Sequence, residues 1–196
     1  MIITSLDQLD PNGTYTYADY WSWQFQERVE LLRGKIHQLE TPMLIYHNIR
    51  SKLSYYIANA LWEKTTECFL APFDVRLTRS FPTPDDEVYT VVQPAISIIC
   101  DPAKLDDRGC NGAPDLIIEI LSPGNSRTEM RDKFDLYQES GVLEYWIVSP
   151  IEKAIQVFQL NEQGRFIGLP PVVEGDILTT PIVPNLEVDL TAIFLD

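Results

Sequence analysis

Hydrophobic positions divide this chain into short apolar runs and two stretches of helical spacing. Tyr46, Ile49, Leu53, Tyr56, Ile57, Ala60 and Leu61 recur every three or four residues, which predicts a long helix opening at Thr41-Pro42. Thr41 is its expected N-cap and Pro42 its first-turn proline. Upstream, residues 16–27 (TYADYWSWQFQE) predict a short aromatic-rich helix capped by Thr16. Val29–Glu40 predicts two short strands turned at Gly34. Further strands are predicted at about 67–78 and 90–99, separated by the turn-rich SFPTPDDE at 80–87, and residues 101–113 read as a polar loop able to cover a site. An apolar strand follows over Pro114–Leu121. Ser126 and Glu129 then have capping-box spacing, and Met130, Phe134 and Tyr137 give the next helix its apolar face, ended at Gly141. Glu144–Ser149 and Lys153–Leu160 form a predicted hairpin, and the Pro-rich tail beyond Arg165 reads as short strands. The order of elements predicts a mixed α/β fold around a central sheet, in one domain spanning 1–196, with no repeat or linker.

One residue breaks the apolar pattern where it costs most. Glu119 lies in the middle of PDLIIEIL, and a carboxylate on a buried strand costs several kcal/mol unless a cation or hydrogen bonds compensate it. Lys133, on the helix that follows, and a metal ion are the candidate partners. Glu30 is a second acid in apolar surroundings, between Val29 and Leu31-Leu32. Asp115 shares the strand face of Glu119, but four strand residues span about 13 Å, too far for both to grip one ion directly. Each residue has a plainer reading. Lys133 can be a solvated helix lysine paired with Glu129, and Glu30 can bridge Arg28 or Lys35. Tyr137, one turn beyond Lys133, can orient a phosphate or simply pack. His47 reads as a satisfied polar residue.

Composition narrows the classes. Hydrophobic residues at 45% and charged residues at 22% are ordinary for a globular chain of 196 residues. No apolar run approaches the ~20 residues needed to span a bilayer. The start, MIITSLDQLD, lacks the features of a signal peptide. Cys68, Cys100 and Cys110 are odd in number and lack metal-ligand spacing, which points to reduced thiols and a cytoplasmic setting. A net charge of −14 argues against coating nucleic acid, because phosphate contacts supply most non-specific affinity. It leaves a nuclease open: Arg127, Arg131 and Lys133 cluster beside Glu119, where they are candidate substrate contacts.

Taken together, PDLIIEILSP at 114–123, Lys133, Tyr137 and GVLEYWIVSP at 141–150 resemble the Uma-two-type family of small bacterial proteins. VELLRG at 29–34, His47 and VVQPAISII at 91–99 fit the same pattern in order, so the resemblance spans roughly residues 15 to 160. It implies a restriction-endonuclease-like fold of the PD-(D/E)XK superfamily, in which a central mixed sheet is flanked by helices. It also implies Mg²⁺- or Mn²⁺-dependent hydrolysis of DNA, with Glu119 and Glu30 on the metal, Asp115 as a further candidate, and Lys133 assisting in place of the usual lysine at the position of Leu121. Family members of this fold often act as homodimers. The chain departs from the pattern at one place. Where the family reads Pro-Asp with the Asp on the metal, this chain reads Pro94-Ala95. A catalytically dead domain that binds nucleic acid or protein therefore stands as the rival expectation. A glycosidase using Glu30 and Glu119 as its paired acids ranks behind both.

Overall fold

The computed structural model describes residues 2–122 and 127–195, with the backbone alone for 127–129. In chain order the elements are α1 (Tyr17–Ser22), β1 (Val29–Leu32), β2 (Lys35–Gln38), α2 (Leu44–Ala60), β3 (Glu67–Leu70), β4 (Val75–Arg76), β5 (Val91–Val92), β6 (Ile96–Ile99), β7 (Leu105–Asp106) and β8 (Gly109–Asn111). After them come β9 (Leu116–Ile120), α3 (Arg127–Ser140), β10 (Glu144–Ser149), β11 (Ala154–Leu160), β12 (Phe166–Gly168), β13 (Val172–Val173), β14 (Ile177–Leu178), β15 (Val188–Asp189) and α4 (Leu190–Phe194).

Two large sheets organise most of these elements, and β14 pairs with β15 in a small third one. Of the large sheets, one runs β2-β1-β5-β4-β8-β7, the other β12-β11-β10-β9-β6-β3, with β13 added beside β11. In the second sheet β9 and β10 are parallel neighbours joined by α3, a βαβ crossover, while β6 runs antiparallel to β9. Side chains alternate across this sheet. Leu116, Ile118 and Ile120 pack with Ile49, Leu53 and Ile57 of α2 and with α4, whereas Ile117 faces Leu136 and Tyr137 of α3. Glu119 has the parity of Ile117 and so lies on the α3 side.

Several expectations hold at the local level. Thr16 caps α1 in a capping box with Asp19. Val29–Leu32 pairs with Lys35–Gln38 through a two-residue turn in which Arg33 (φ 52°) and Gly34 (φ 78°) are both left-handed, the geometry that matches strand twist.

Others need correction. The long helix begins at Leu44 and its N-cap is Met43, without a side-chain cap bond, so Thr41-Pro42 precedes it. The strands expected at about 67–78 and 90–99 are each broken. β3 and β6 belong to the second sheet, β4 and β5 to the first, and the chain crosses between sheets at residues 71–74 and 93–95. Within the expected polar loop, β7 and β8 form a hairpin that extends the first sheet. Gly109 is required there. Its φ is +125°, and a Cβ would sit 2.2 Å from the Asp74 carbonyl oxygen, which accepts a hydrogen bond from the Cys110 N–H. The tail adds the helix α4 to its short strands. The Ser126–Glu129 capping pattern lies outside the described residues.

Candidate active site

The site sits at the seam where the sheets meet. Glu30 comes from β1 of the first sheet, Glu119 from β9 of the second, and Lys133 with Tyr137 from α3 above the second. Lys133 Nζ donates to Glu119 Oε1 at 2.9 Å and to Glu30 Oε1 at 3.0 Å. Tyr137 donates its hydroxyl to the same Glu119 oxygen at 2.7 Å. Lys133 and Tyr137 are one turn apart on α3, which is why both reach one carboxylate. The backbone N–H of Gln93 donates to Glu30 Oε1 at 2.7 Å.

This cluster is buried. Side-chain exposure is 8% for Lys133 and 0% for Glu30, against 16% for Glu119. The expectation of a solvated helix lysine fails for that reason, and the alternative pairing with Glu129 involves a side chain outside the described residues. Burial alone pulls the Lys133 ammonium down, but the charges of Glu119 and Glu30, with their hydrogen bonds, more than reverse it and hold its pKa above the ordinary range. Burial pushes the Tyr137 hydroxyl well up, and the carboxylates reinforce that. Both groups keep their protons at neutral pH. Each can donate a hydrogen bond or offset developing negative charge, and neither can serve as a general base.

Ala95 precedes β6, one residue beyond the last β6–β9 pair, Ile96↔Ile118, and therefore beside Glu119. It is buried among the α2-side apolar residues, and its carbonyl accepts from the Ala71 N–H. Asp115 lies at the opposite end of the β9 segment from Glu119. Its carboxylate accepts the Cys100 backbone N–H at 2.7 Å, so the structure does not bring it to Glu30 and Glu119. Arg131 is exposed on α3, while the Arg127 side chain lies outside the described residues. His47 falls inside α2, edge-on to Tyr46.

Three residues carried no functional signal in the sequence, although Tyr46 belongs to the helical spacing and Arg28 was a candidate partner for Glu30. Gln93 holds Glu30 through its backbone, accepts Arg28 Nε and Nη2 on its side-chain oxygen at 3.1 and 2.7 Å, and donates Nε2 to Asp74 and Tyr20 at 2.9 and 3.1 Å. Arg28 makes no ion pair among the described residues. Tyr46 has its hydroxyl pKa raised, by burial first and then by Glu119, and Arg50, Arg28 and Lys133 act on it too. A polar residue before a proline, or an arginine at a strand start, has no pattern that separates it from an ordinary surface residue.

Whether these residues suit a divalent cation turns on the donors. Glu30 Oε2 is buried with no hydrogen-bond partner; it lies 2.9 Å from Lys133 Nζ as an ion contact outside hydrogen-bond geometry. That spare oxygen is a candidate ligand. Both carboxylates, however, are already engaged by one ammonium, and no group of three His, Cys, Asp or Glu side chains comes together among the described residues. As the chain stands, the donor set falls short of a dedicated metal site.

Two acids and a lysine converging beside a parallel βαβ unit define a restriction-endonuclease-like α/β protein. The chain belongs to the Uma2 family, whose sequence model, described as "Putative restriction endonuclease", matches residues 17–192. It is similar to the crystal structure of a nuclease-like protein of the DUF820 group from Anabaena variabilis, with a TM-score of 0.68 at 19% identity, covering 92% of this chain and 97% of that one. At that identity the likeness bears on the fold. A Synechocystis protein described only as uncharacterised, slr1290, is 24% identical over 152 residues, 75% of this chain and 74% of its own length.

Proposed function

We propose that this domain carries the phosphodiester-hydrolysing site of a DNA endonuclease with one acid missing, so that its own Mg²⁺- or Mn²⁺-dependent cleavage is weak or absent. The observation that carries the reading is the meeting of Glu30, Glu119 and Lys133 in one buried pocket, with Ala95 next to Glu119 on the adjoining strand. Formally, two carboxylates face one ammonium, and a third carboxylate at residue 95 would give the cluster enough negative charge and oxygen donors for a divalent cation. In this scheme Glu119 and Glu30 supply oxygen donors. Lys133, held protonated, lowers the energy of negative charge developing on the phosphate. Tyr137 fixes the orientation of Glu119. Asp115, by its place, supports the strand end rather than the reacting group.

The substrate is proposed as DNA and the working form as a homodimer in the cytoplasm, because restriction-like domains pair in order to cut both strands. The missing acid at Ala95 favours a second reading, a domain that binds nucleic acid or protein without cutting. Plasmid nicking in Mg²⁺ or Mn²⁺ separates the two. Ala95→Asp is expected to cleave while the native chain shows little. Equal inactivity of both, over several metals and DNA forms, would leave the binding reading in its place.

A further inference from the structure

A cavity of about 260 Å³ is lined in part by Asp74 and Tyr20, the two residues that Gln93 Nε2 bonds while its backbone N–H holds Glu30. Its walls include Tyr20, Trp21, Trp23 and Phe25, with the carboxylates of Asp74 and Glu27. The rings form a connected series: Tyr20 is 5.6 Å from Trp23, and Trp23 stacks 5.5 Å from Phe25. Trp21 is 55% exposed, more than a folding role for so large an apolar side chain explains. The volume is below the range that suits a drug-sized ligand and fits a single planar ring system.

Asp74 gives the cavity its polarity. Oδ1 accepts from Tyr20 Oη at 3.1 Å and Gln93 Nε2 at 2.9 Å, whereas Oδ2 has only the Tyr17 hydroxyl at 3.5 Å. Acceptor capacity is therefore left over on Oδ2. Burial raises the Asp74 pKa, and the hydrogen bonds from Gln93 and the tyrosines pull against that rise.

On the other side of Gln93 stands Arg28, whose guanidinium is held by a neutral amide oxygen. Arg108, by contrast, is paired with Asp85 and already lies over the Trp21 ring, 5.4 Å from its centroid. Arg28 lies in sequence between the cavity-lining Glu27 and Val29 and makes no ion pair among the described residues, so an aromatic cavity of this size with such a cation on the same segment suits a ligand that brings a planar ring and a phosphate together.

We propose that this cavity binds one unstacked base of the nucleic acid presented to the Glu30–Glu119–Lys133 pocket, with the base's amino group donating to Asp74 and its neighbouring phosphate on Arg28. The inference rests on the nuclease reading for its substrate class and adds the subsite that would position the strand. Aromatic stacking supplies affinity for any base, and the free acceptor on Asp74 favours amino-bearing bases over thymine.

The test is binding of short single-stranded oligonucleotides to the full chain in EDTA, where hydrolysis plays no part, followed by tryptophan quenching. Trp21→Ala should weaken binding roughly tenfold or more, the scale of one lost stacking contact. Arg28→Leu should weaken it for all sequences and reduce the salt slope by about one. Asp74→Asn should erase the preference for cytosine- over thymine-containing strands. Thermal melts confirm that the variants fold, and Trp21, being exposed, is the safest of the three.

Unchanged affinity in both Trp21→Ala and Arg28→Leu overturns the proposal. So does competition by tetramethylammonium, which would make the cavity a cage for organic cations. The two readings fail separately. Cleavage by Ala95→Asp that is indifferent to Trp21 and Arg28 removes this subsite and keeps the nuclease. Oligonucleotide binding that depends on both residues, in a chain that never cleaves, keeps the subsite and removes hydrolysis.

Discussion

At Lys133 the pocket's electrostatics and its stability are one problem. The ammonium is 8% exposed and bonds two carboxylates, so it cannot be treated as a surface pair worth 0–1 kcal/mol. Lys133→Met should destabilise the fold by about 3–5 kcal/mol, because it takes the ammonium away from two buried acids and leaves each with a neutral hydrogen-bond donor only. Denaturant melts measure this, and a change near zero would mean that the acids are solvated or neutral. Tyr137→Phe should cost about 1 kcal/mol, since it removes one hydrogen bond to Glu119 and leaves the packing intact. The pH dependence follows from the sign of the Lys133 shift. Its folded pKa lies above the ordinary 10.5, so its contribution is complete below the unfolded pKa and is lost only as pH rises through the folded one. The Lys133-dependent part of stability should therefore be flat from pH 7 to about 9.5. A loss between pH 7 and 9 that disappears in Lys133→Met would contradict this.

Among the elements, what the sequence made legible tracks how far each signal is local. The β1–β2 hairpin was readable because Arg33-Gly34 needs left-handed backbone, and the α1 cap because Thr16 and Asp19 have the spacing. Glu119 stood out because a charge inside an apolar strand demands a partner, and α3 delivered Lys133 one crossover later. The breaks at 71–74 and 93–95 did not stand out. Apolar residues stand on both sides of each break, and periodicity cannot register a change of sheet. Gln93 and Asp74 sit at those crossings, so their roles depend on contacts across the fold, Gln93 reaching Tyr20 73 residues away. Gly109 was equally silent, since its constraint is the backbone of Asp74. Gly109→Ala should lower the melting temperature and loosen the Asp74 corner, by steric conflict and by strain at φ +125°. An unchanged melt would show that β8 can shift away from Asp74.

Over the whole molecule, a net charge of −14 confines any contact with nucleic acid to places where cations are not already spent. Arg33, Arg76, Arg108 and Lys153 are each bound to carboxylates. Arg28 and Arg50 bond neutral groups instead, the Gln93 amide and the Ala71 carbonyl. Arg50 donates to the carbonyl of Ala71, whose N–H bonds the Ala95 carbonyl, and Arg28 bonds Gln93, whose N–H holds Glu30. We propose the pocket as a metal-dependent nuclease site short of an acid at residue 95. Titration of Mn²⁺ into the native chain and into Ala95→Asp, by calorimetry without substrate, tests it most directly. Ala95→Asp is expected to bind one ion at least tenfold more tightly than the native chain, and Glu119→Gln in that background is expected to abolish the gain. Equal affinity in the two proteins, or a gain indifferent to Glu119, would contradict it.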